Sequence, residues 1–359
     1  MPAGGSRLPT DPAAPLLPVV SYGYGDAADP LPRHFLTIPA GGRSVIATDN
    51  TPSNNQITDA GATLGRVLFY ERRLSSDRSM SCASCHQQAL GFTDSARLSL
   101  GVLRQPGEYH APALGNARFY TRGRFFWDER AATLEAQVTQ PIANPVEMNL
   151  PIDSALRRLA TTSYYAGLYR QAFGSPDVTL DRTARALAQF IRAMRASRSR
   201  YDRVFEAPPA PDGSPNFAAV FTPQEVRGQQ LFTATAGCAR CHQTNAQILD
   251  APANTGLDLV SADTGAGRGR FKSPSLRNVA VRGHFMHDGR FTTLEQVVEF
   301  YDHGVQPNVD LDPRLRTPNG RPQRLNLSTA DKAALVAFLK TLTDEALLND
   351  VRFSDPFRR

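Results

Sequence analysis

An all-α chain made of two tandem copies of one domain is the fold this sequence predicts, and three observations predict it. A Cys-x-x-Cys-His motif occurs twice, as Cys82-Ala-Ser-Cys85-His86 and Cys238-Ala-Arg-Cys241-His242. The same landmarks surround each copy in the same order. Each half then closes on a helical segment, Leu187-Ala-Gln-Phe190-Ile191-Arg192 in one and Leu335-Val-Ala-Phe338-Leu339-Lys340 in the other.

The repeat is far longer than its five-residue core. Upstream, Gly65-Arg-Val-Leu68-Phe69 matches Gly228-Gln-Gln-Leu231-Phe232, each on a helix leading to the motif. The second of these helices opens with a capping-box pattern, Thr222-Pro223-Gln224-Glu225. Downstream, Pro112-Ala-Leu114-Gly-Asn116 matches Pro274-Ser-Leu276-Arg-Asn278. Then Phe126-Trp127-Asp128-Glu-Arg130-Ala-Ala-Thr133-Leu134-Glu135 matches Met286-His287-Asp288-Gly-Arg290-Phe-Thr-Thr293-Leu294-Glu295. These landmarks set the expected boundaries: an irregular arm over 1–54 packing on the domains, a first domain over 55–205, a Pro-rich connector over 206–218 and a second domain over 219–359.

At 359 residues the chain is long enough for two such cores. No run of 18 apolar residues occurs, so no transmembrane helix is expected. The stretch Leu16-Leu17-Pro18-Val19-Val20 is too short and Pro-broken for a signal peptide. The formal charge is +6, with Lys only at 272, 332 and 340, and no nucleic-acid signature accompanies it. The arginines at 192, 195, 198, 200 and 203 read as a solvated helix face; a second reading has them meet haem propionates or an acidic partner.

The cysteines carry the chemistry. Cys-x-x-Cys-His sets two thiols about a turn apart, suited to thioether bonds with two haem vinyl groups, while the adjacent imidazole ligates iron. A zinc site would have to gather its ligands from pairs 156 residues apart, and gives no reason for a His after each pair. A Cys-x-x-Cys disulfide would staple almost nothing. Two covalent c-type haems are therefore expected, in an oxidising compartment, so a periplasmic location with the export signal missing from this sequence.

Where the copies differ, their chemistry should differ. Trp127, the single tryptophan, stands where the second half has His287. An indole can be oxidised transiently and carry a hole between redox centres; it can equally be a large core residue. After it come Gln137, Pro141 and Asn144-Pro145-Val146-Glu147-Met148. A carboxylate on that irregular backbone could move a proton between the two oxygens of bound peroxide if Glu147 faces the first haem, or could be an ordinary exposed loop Glu. In the second half a helix beginning near Thr293 places Leu294, Val297, Val298 and Tyr301 on one stripe, which by itself reads as core.

The two CxxCH motifs, FFWDERAATLE with Gln and Glu following, and FMHDGRFTTLEQVV resemble the bacterial dihaem cytochrome c peroxidase and MauG superfamily over about residues 55–345. The resemblance implies two tandem cytochrome c-like domains, with the haem on His86 reacting with peroxide and the haem on His242 transferring electrons. It carries the relay Trp onto Trp127, the active-site Gln onto Gln137, the Pro onto Pro141 and the acid-base Glu onto Glu147. The histidine that blocks the resting iron in reductively activated peroxidases aligns with Val102, so the first iron is expected to be open. His110 aligns with an Asn that the peroxidases use at an interdomain calcium, so a structural calcium ion is an expectation of the resemblance.

Counting fourteen residues from His287, where the peroxidases carry an axial Met, reaches Tyr301. MauG-type enzymes are similar in placing Tyr there. Met286, the neighbour of the HDG histidine, and His303 are the other ligand candidates. Phenolate favours higher iron oxidation states, whereas thioether suits accepting electrons from a small redox protein. The resemblance thus implies a MauG-like dihaem enzyme that uses hydrogen peroxide to form a high-valent dihaem state and oxidises Trp or Tyr side chains of a partner protein; MauG-like enzymes of the MbnH type fit the same motif set. The alternatives are a cytochrome c peroxidase fed by a small cytochrome or copper protein, and a dihaem electron carrier, which would have no use for Glu147.

Overall fold

Two helix pairs form the frame, and each is held together at a glycine. The structure, a computed structural model, describes residues 14–38 and 43–357. Thr58 caps the Asp59–Phe69 helix by accepting from the Gly61 N–H, and Thr179 caps Leu180–Ala193 by accepting from the Arg182 N–H. These two helices pack so closely that a Cβ on Gly65 would lie 2.0 Å from the carbonyl oxygen of Ala186. In the second half the expected capping box is present: Thr222 and Glu225 satisfy each other's backbone at the start of Pro223–Gln230. This helix packs on Thr329–Lys340, and a Cβ on Gly228 would lie 1.9 Å from the carbonyl oxygen of Ala334. The two contacts are the same contact made twice.

The landmarks downstream repeat in three dimensions as well. Asn116 and Asn278 both adopt left-handed backbone, φ 62° and 59°. The Asn116 N–H donates to Met194 and the Asn278 N–H to Leu342, each just past the end of its closing helix. Phe125 bridges Ala131 in the first half and Phe285 bridges Phe291 in the second. Thr133 and Thr293 then cap the short helices Leu134–Gln137 and Leu294–Glu299.

Helix and irregular loop dominate. Among the described residues the one sheet is a two-residue antiparallel pair, His242–Gln243 with Ile248–Leu249, beside the second motif, so the all-α expectation holds except at this hairpin. The helix expected through Tyr301 is α-helical only to Glu299 and continues as a π-turn over Phe300–Gly304.

Among the described residues two large hydrophobic cores stand beside two smaller clusters, one around Phe35 and Phe119 and one around Phe300 and Leu311. The first gathers Leu64, Leu68, Phe69, Leu187 and Phe190 with Tyr24 of the arm and Leu347, Phe353 and Phe357 from the C-terminal end. The second gathers Leu231, Phe232, Leu335 and Phe338 with Tyr201 and Val204, which precede the Pro-rich connector. Residues 1–13 and 39–42 of the expected arm lie outside the described residues. The rest of the arm lies across both halves: Leu16 N–H donates to Pro356 O, the Tyr24 hydroxyl to Arg352 O, and His34 pairs with Asp202.

The arginine run corrects the expectation of a solvated face. Arg192 is buried and bidentate to Glu135, Arg195 pairs with Asp29, and Arg200 is bidentate to Glu225. Only Arg198 and Arg203 are exposed. A closing helix packed at Gly65 cannot turn its Arg192 side outward, so a carboxylate from another element accompanies it inward.

Candidate active site

Each Cys-x-x-Cys-His motif begins on a 3-10 turn, Cys82–Ser84 and Cys238–Arg240, and delivers both thiols and its imidazole to one cavity. All four thiols are free of disulfides. Burial holds them protonated, up to about 12 for Cys82 and Cys238 and about 11 for Cys85 and Cys241. Burial drives the other way on the imidazoles, lowering His86 and bringing His242 down to about 4, so both are neutral, as an iron ligand must be. The His86 Nδ1–H donates to the Phe92 carbonyl at 2.9 Å, a tautomer that keeps the Nε2 lone pair for a metal. This donor set fits a haem in each cavity: the two thiols would hold it by thioether bonds and the imidazole would ligate its iron.

The first cavity, of about 510 Å³, is lined by Cys82, Cys85 and His86 together with all four residues singled out in the sequence, Trp127, Gln137, Pro141 and Glu147. Glu147 sits on a tight loop, its N–H donating to Asn144 O at 3.1 Å and its carbonyl accepting from the Val102 N–H at 2.9 Å. Gly101 presses on the same loop: a Cβ there would lie 1.7 Å from Val146 O. Burial raises the Glu147 pKa above the ordinary carboxylate value, with Arg130 and a hydrogen bond from Asn144 pulling the other way. Arg130 is steered by stacking on Phe126, 3.6 Å from the ring centroid, and by its ion pair to Asp128. Segment 99–109 contains no histidine, and Ser99 and Gly101 line the cavity from it.

The second cavity, of about 210 Å³, is lined by Cys238, Cys241 and His242, by Tyr301 and by the stripe Leu294, Val297 and Val298. Burial lifts the Tyr301 phenol well above its ordinary pKa, and the thiols of Cys241 and Cys238 add to this. Met286 lines the same cavity, whereas the His303 imidazole is half exposed and bound to Asp302 at 2.8 Å. The repeat adds a comparison: fourteen residues beyond the equivalent positions Trp127 and His287 stand Pro141 and Tyr301. One cavity has a side chain without a donor atom where the other has a phenol.

The cavities share a wall built by a pseudo-twofold exchange. His110 and Lys272 each lie two residues ahead of a landmark proline. The His110 N–H donates to His287 O at 2.8 Å and the Lys272 N–H to Trp127 O at 2.7 Å. The Lys272 ammonium rests on the Tyr120 and Phe125 rings at 4.6 and 5.1 Å, and burial brings its pKa down to about 8. Trp127, His110 and Lys272 line both cavities. Sequence reasoning passed over Lys272, whose place next to the Pro274 landmark was the available signal.

His110 does not fit the calcium role. Its Nδ1–H donates to the carbonyls of Ala96 and Arg97 and its Nε2 pairs with the Thr93 hydroxyl. A hard cation wants oxygen ligands, and here an imidazole takes the two nearest carbonyls. Among the described residues no helix is long and apolar enough to cross a membrane.

Known proteins resemble this chain over most of its length. The sequence profile described as di-haem cytochrome c peroxidase matches residues 59–208 and 228–314. The methylamine utilization protein MauG of Methylorubrum extorquens is 34% identical over 307 residues, covering 82% of this chain and 81% of that protein. Cytochrome c551 peroxidase of Nitrosomonas europaea is 33% identical over 309 residues, covering 82% of each. The crystal structure of a MauG-like protein associated with microbial copper homeostasis superposes with a TM-score of 0.75 at 28% identity, covering 91% of this chain and 98% of that one. With both haem-attachment motifs and the shared wall in place, the chain belongs to the di-haem cytochrome c peroxidase family of haem oxidoreductases that act with peroxide.

Proposed function

We propose that the chain works in the MauG manner: two oxidising equivalents taken from hydrogen peroxide are shared between its haems and used to oxidise Trp or Tyr side chains of a partner protein. The observation that carries this reading is the pairing of Pro141 in one half with Tyr301 in the other. When bound, the haems supply iron that accepts peroxide and holds oxidising equivalents. The rest falls to side chains. Pro141 offers no donor atom, so the first cavity keeps a place for peroxide. Glu147, its pKa raised by burial, takes the proton from one peroxide oxygen and delivers it to the other, while the Gln137 amide orients the molecule. Trp127 carries electrons through the shared wall. Tyr301 would hold the iron of the second haem after giving up its proton, and a phenolate ligand would favour higher oxidation states there. The likeness to the MauG-like protein linked with copper homeostasis adds weight to this branch. The oxidising compartment that covalent haem attachment calls for supports a periplasmic location.

A second reading, peroxide scavenging with electrons from a small cytochrome c or copper protein, is favoured by the nearly equal identity to cytochrome c551 peroxidase. EPR and optical spectra of the resting diferric protein, then of the protein after stoichiometric peroxide, separate the two. One high-spin and one low-spin haem are expected, the low-spin signal changing in Tyr301→Phe, with a long-lived state in which both centres are oxidised. Two low-spin haems that respond to peroxide only after partial reduction would establish the scavenging peroxidase instead.

A further inference from the structure

We infer that Tyr109 is the point at which oxidising equivalents leave the protein, through an aromatic cluster that runs from the shared wall to a third cavity. The inference rests on the peroxide oxidation above, and does not require that the equivalents be stored. From Trp127 the next ring is His287, centroids 6.4 Å apart; from His287 the next is Tyr109, 6.0 Å away. Phe271 stacks on His287 at 3.6 Å and 8°, and stands 6.0 Å from Tyr109, so the cluster is packed as a unit. Tyr109 and Phe271 are equivalent positions in the repeat, each next to a residue of the reciprocal wall contact. Only the first half carries a hydroxyl there.

That hydroxyl has what oxidation of a phenol needs. Tyr109 lines the first haem cavity and also a third cavity of about 230 Å³ whose walls include Asp258, Asp263, His287 and Asp288. Asp263 lines the same third cavity as the phenol, and burial, together with the Asp263 carboxylate, pushes the Tyr109 pKa above its ordinary value. In each passage an electron moves from Tyr109 to the hole on Trp127, and the O–H bond breaks with its proton passing to Asp263. A donor in the third cavity then returns one electron, and the proton goes back to the phenoxyl oxygen. Two passages supply the two electrons with which one peroxide becomes two waters; each passage returns its own proton to the phenol, so the two protons of that reduction come from solvent at the first cavity. Among the lining residues Glu108, Asp258, Asp263 and Asp288 outnumber Arg290, and with Arg97 reaching the Asp288 carbonyl the balance stays negative, which favours a cationic donor.

The test uses the dihaem holoenzyme, its Tyr109→Phe variant, and a ferrocene bearing either a trimethylammonium or a carboxylate group as donor. With the wild type, peroxide-driven oxidation of the cationic ferrocene is expected to outpace the anionic one at low salt. In Tyr109→Phe the cationic rate should fall about tenfold, the change that 1.4 kcal/mol of barrier produces. Freeze-quench EPR after peroxide, without donor, should show a tyrosyl radical narrowed by ring-deuterated tyrosine and missing in the variant; Asp263→Asn should weaken it. Unchanged ferrocene rates and an unchanged radical in Tyr109→Phe would overturn the route. A wild type that accumulates no oxidised dihaem state, yet loses ferrocene oxidation in Tyr109→Phe, would instead remove the MauG-like reading and leave the route standing.

Discussion

Trp127 and His287 hold equivalent positions in the two halves and meet each other at the shared wall, ring centroids 6.4 Å apart and inclined at 67°. The indole is pinned from both sides. Its Nε1–H donates to His110 O at 2.7 Å, and its own carbonyl accepts from the Lys272 N–H. A duplicated domain has therefore put its one oxidisable indole where the copies touch, next to an imidazole in place of a second indole.

Replacing the indole while keeping a ring should uncouple the two centres. In Trp127→Phe, peroxide should still reach the first haem, because Glu147, Gln137 and Pro141 are untouched. The second haem should keep its resting optical and EPR signature through the first turnover. The His110 carbonyl also loses its donor, so a stability loss of about 1–3 kcal/mol is expected in denaturant unfolding. If both haems respond to peroxide as in the wild type, the indole is only packing.

Glu147→Gln should slow formation of the oxidised state by about 10²–10⁴-fold, the usual weight of a positioned proton-transfer group. The pH profile gives a second check. Glu147 must be ionised to take the peroxide proton, and burial raises its pKa above the ordinary value. The wild-type rate should thus climb with pH through an apparent pKa above the ordinary carboxylate value, and the Gln variant should lack that step. Stopped-flow spectra across the acid range measure both.

The loop that carries Glu147 can be moved without touching the carboxylate. A Cβ on Gly101 would lie 1.7 Å from Val146 O, and the obstacle is backbone. Gly101→Ala must therefore push residues 146–147 away from the first cavity or distort its own loop, whose next residue, Val102, bonds Glu147 O. A rate loss of about 10²-fold is expected from misplacing the group, with haem content unchanged. Wild-type peroxide kinetics in Gly101→Ala would show that the loop has room to spare.

Much of this was legible in the sequence because the repeat supplies its own control. Gly65 and Gly228 were matched as letters, and they match as contacts, each against a closing-helix carbonyl. Trp127, Gln137, Pro141 and Glu147 were placed by the family resemblance and converge on one cavity. What could not be read were pairings between distant segments with no counterpart in the other half. Arg192 finds Glu135 from 57 residues away and Arg195 finds Asp29 in the arm, so a periodic run of arginines looked like solvent-facing charge. The return of Phe353 and Phe357 to the first core is likewise invisible to a pattern that only counts within a domain. Tyr109 was hidden for the opposite reason: its partner in the repeat is Phe271, and a lost hydroxyl between aromatic residues looks like drift.

Asp202 joins the arm, the end of the first half and the second half at one buried carboxylate. It accepts from both terminal nitrogens of Arg277, from the Ser199 N–H and hydroxyl at 2.7 Å each, and pairs with His34 Nε2 at 2.7 Å. Its side chain is 1% exposed and that of Arg277 is 0%. Asp202→Asn keeps the shape and strands a buried guanidinium, so a loss of about 3–5 kcal/mol is expected. The sign of the acid response follows from the same contacts. Although burial opposes ionisation, the charge of Arg277 and the hydrogen bonds from His34 and Arg277 hold the Asp202 pKa well below its ordinary value. The unfolded chain therefore takes up its proton first, near pH 3.9, and stability is present above that point and lost as pH falls toward the folded value. Urea unfolding of wild type and variant between about pH 6 and about pH 3 should show the wild type losing its advantage on acidification and the two curves converging. Parallel loss in both proteins would assign the acid limb to other carboxylates.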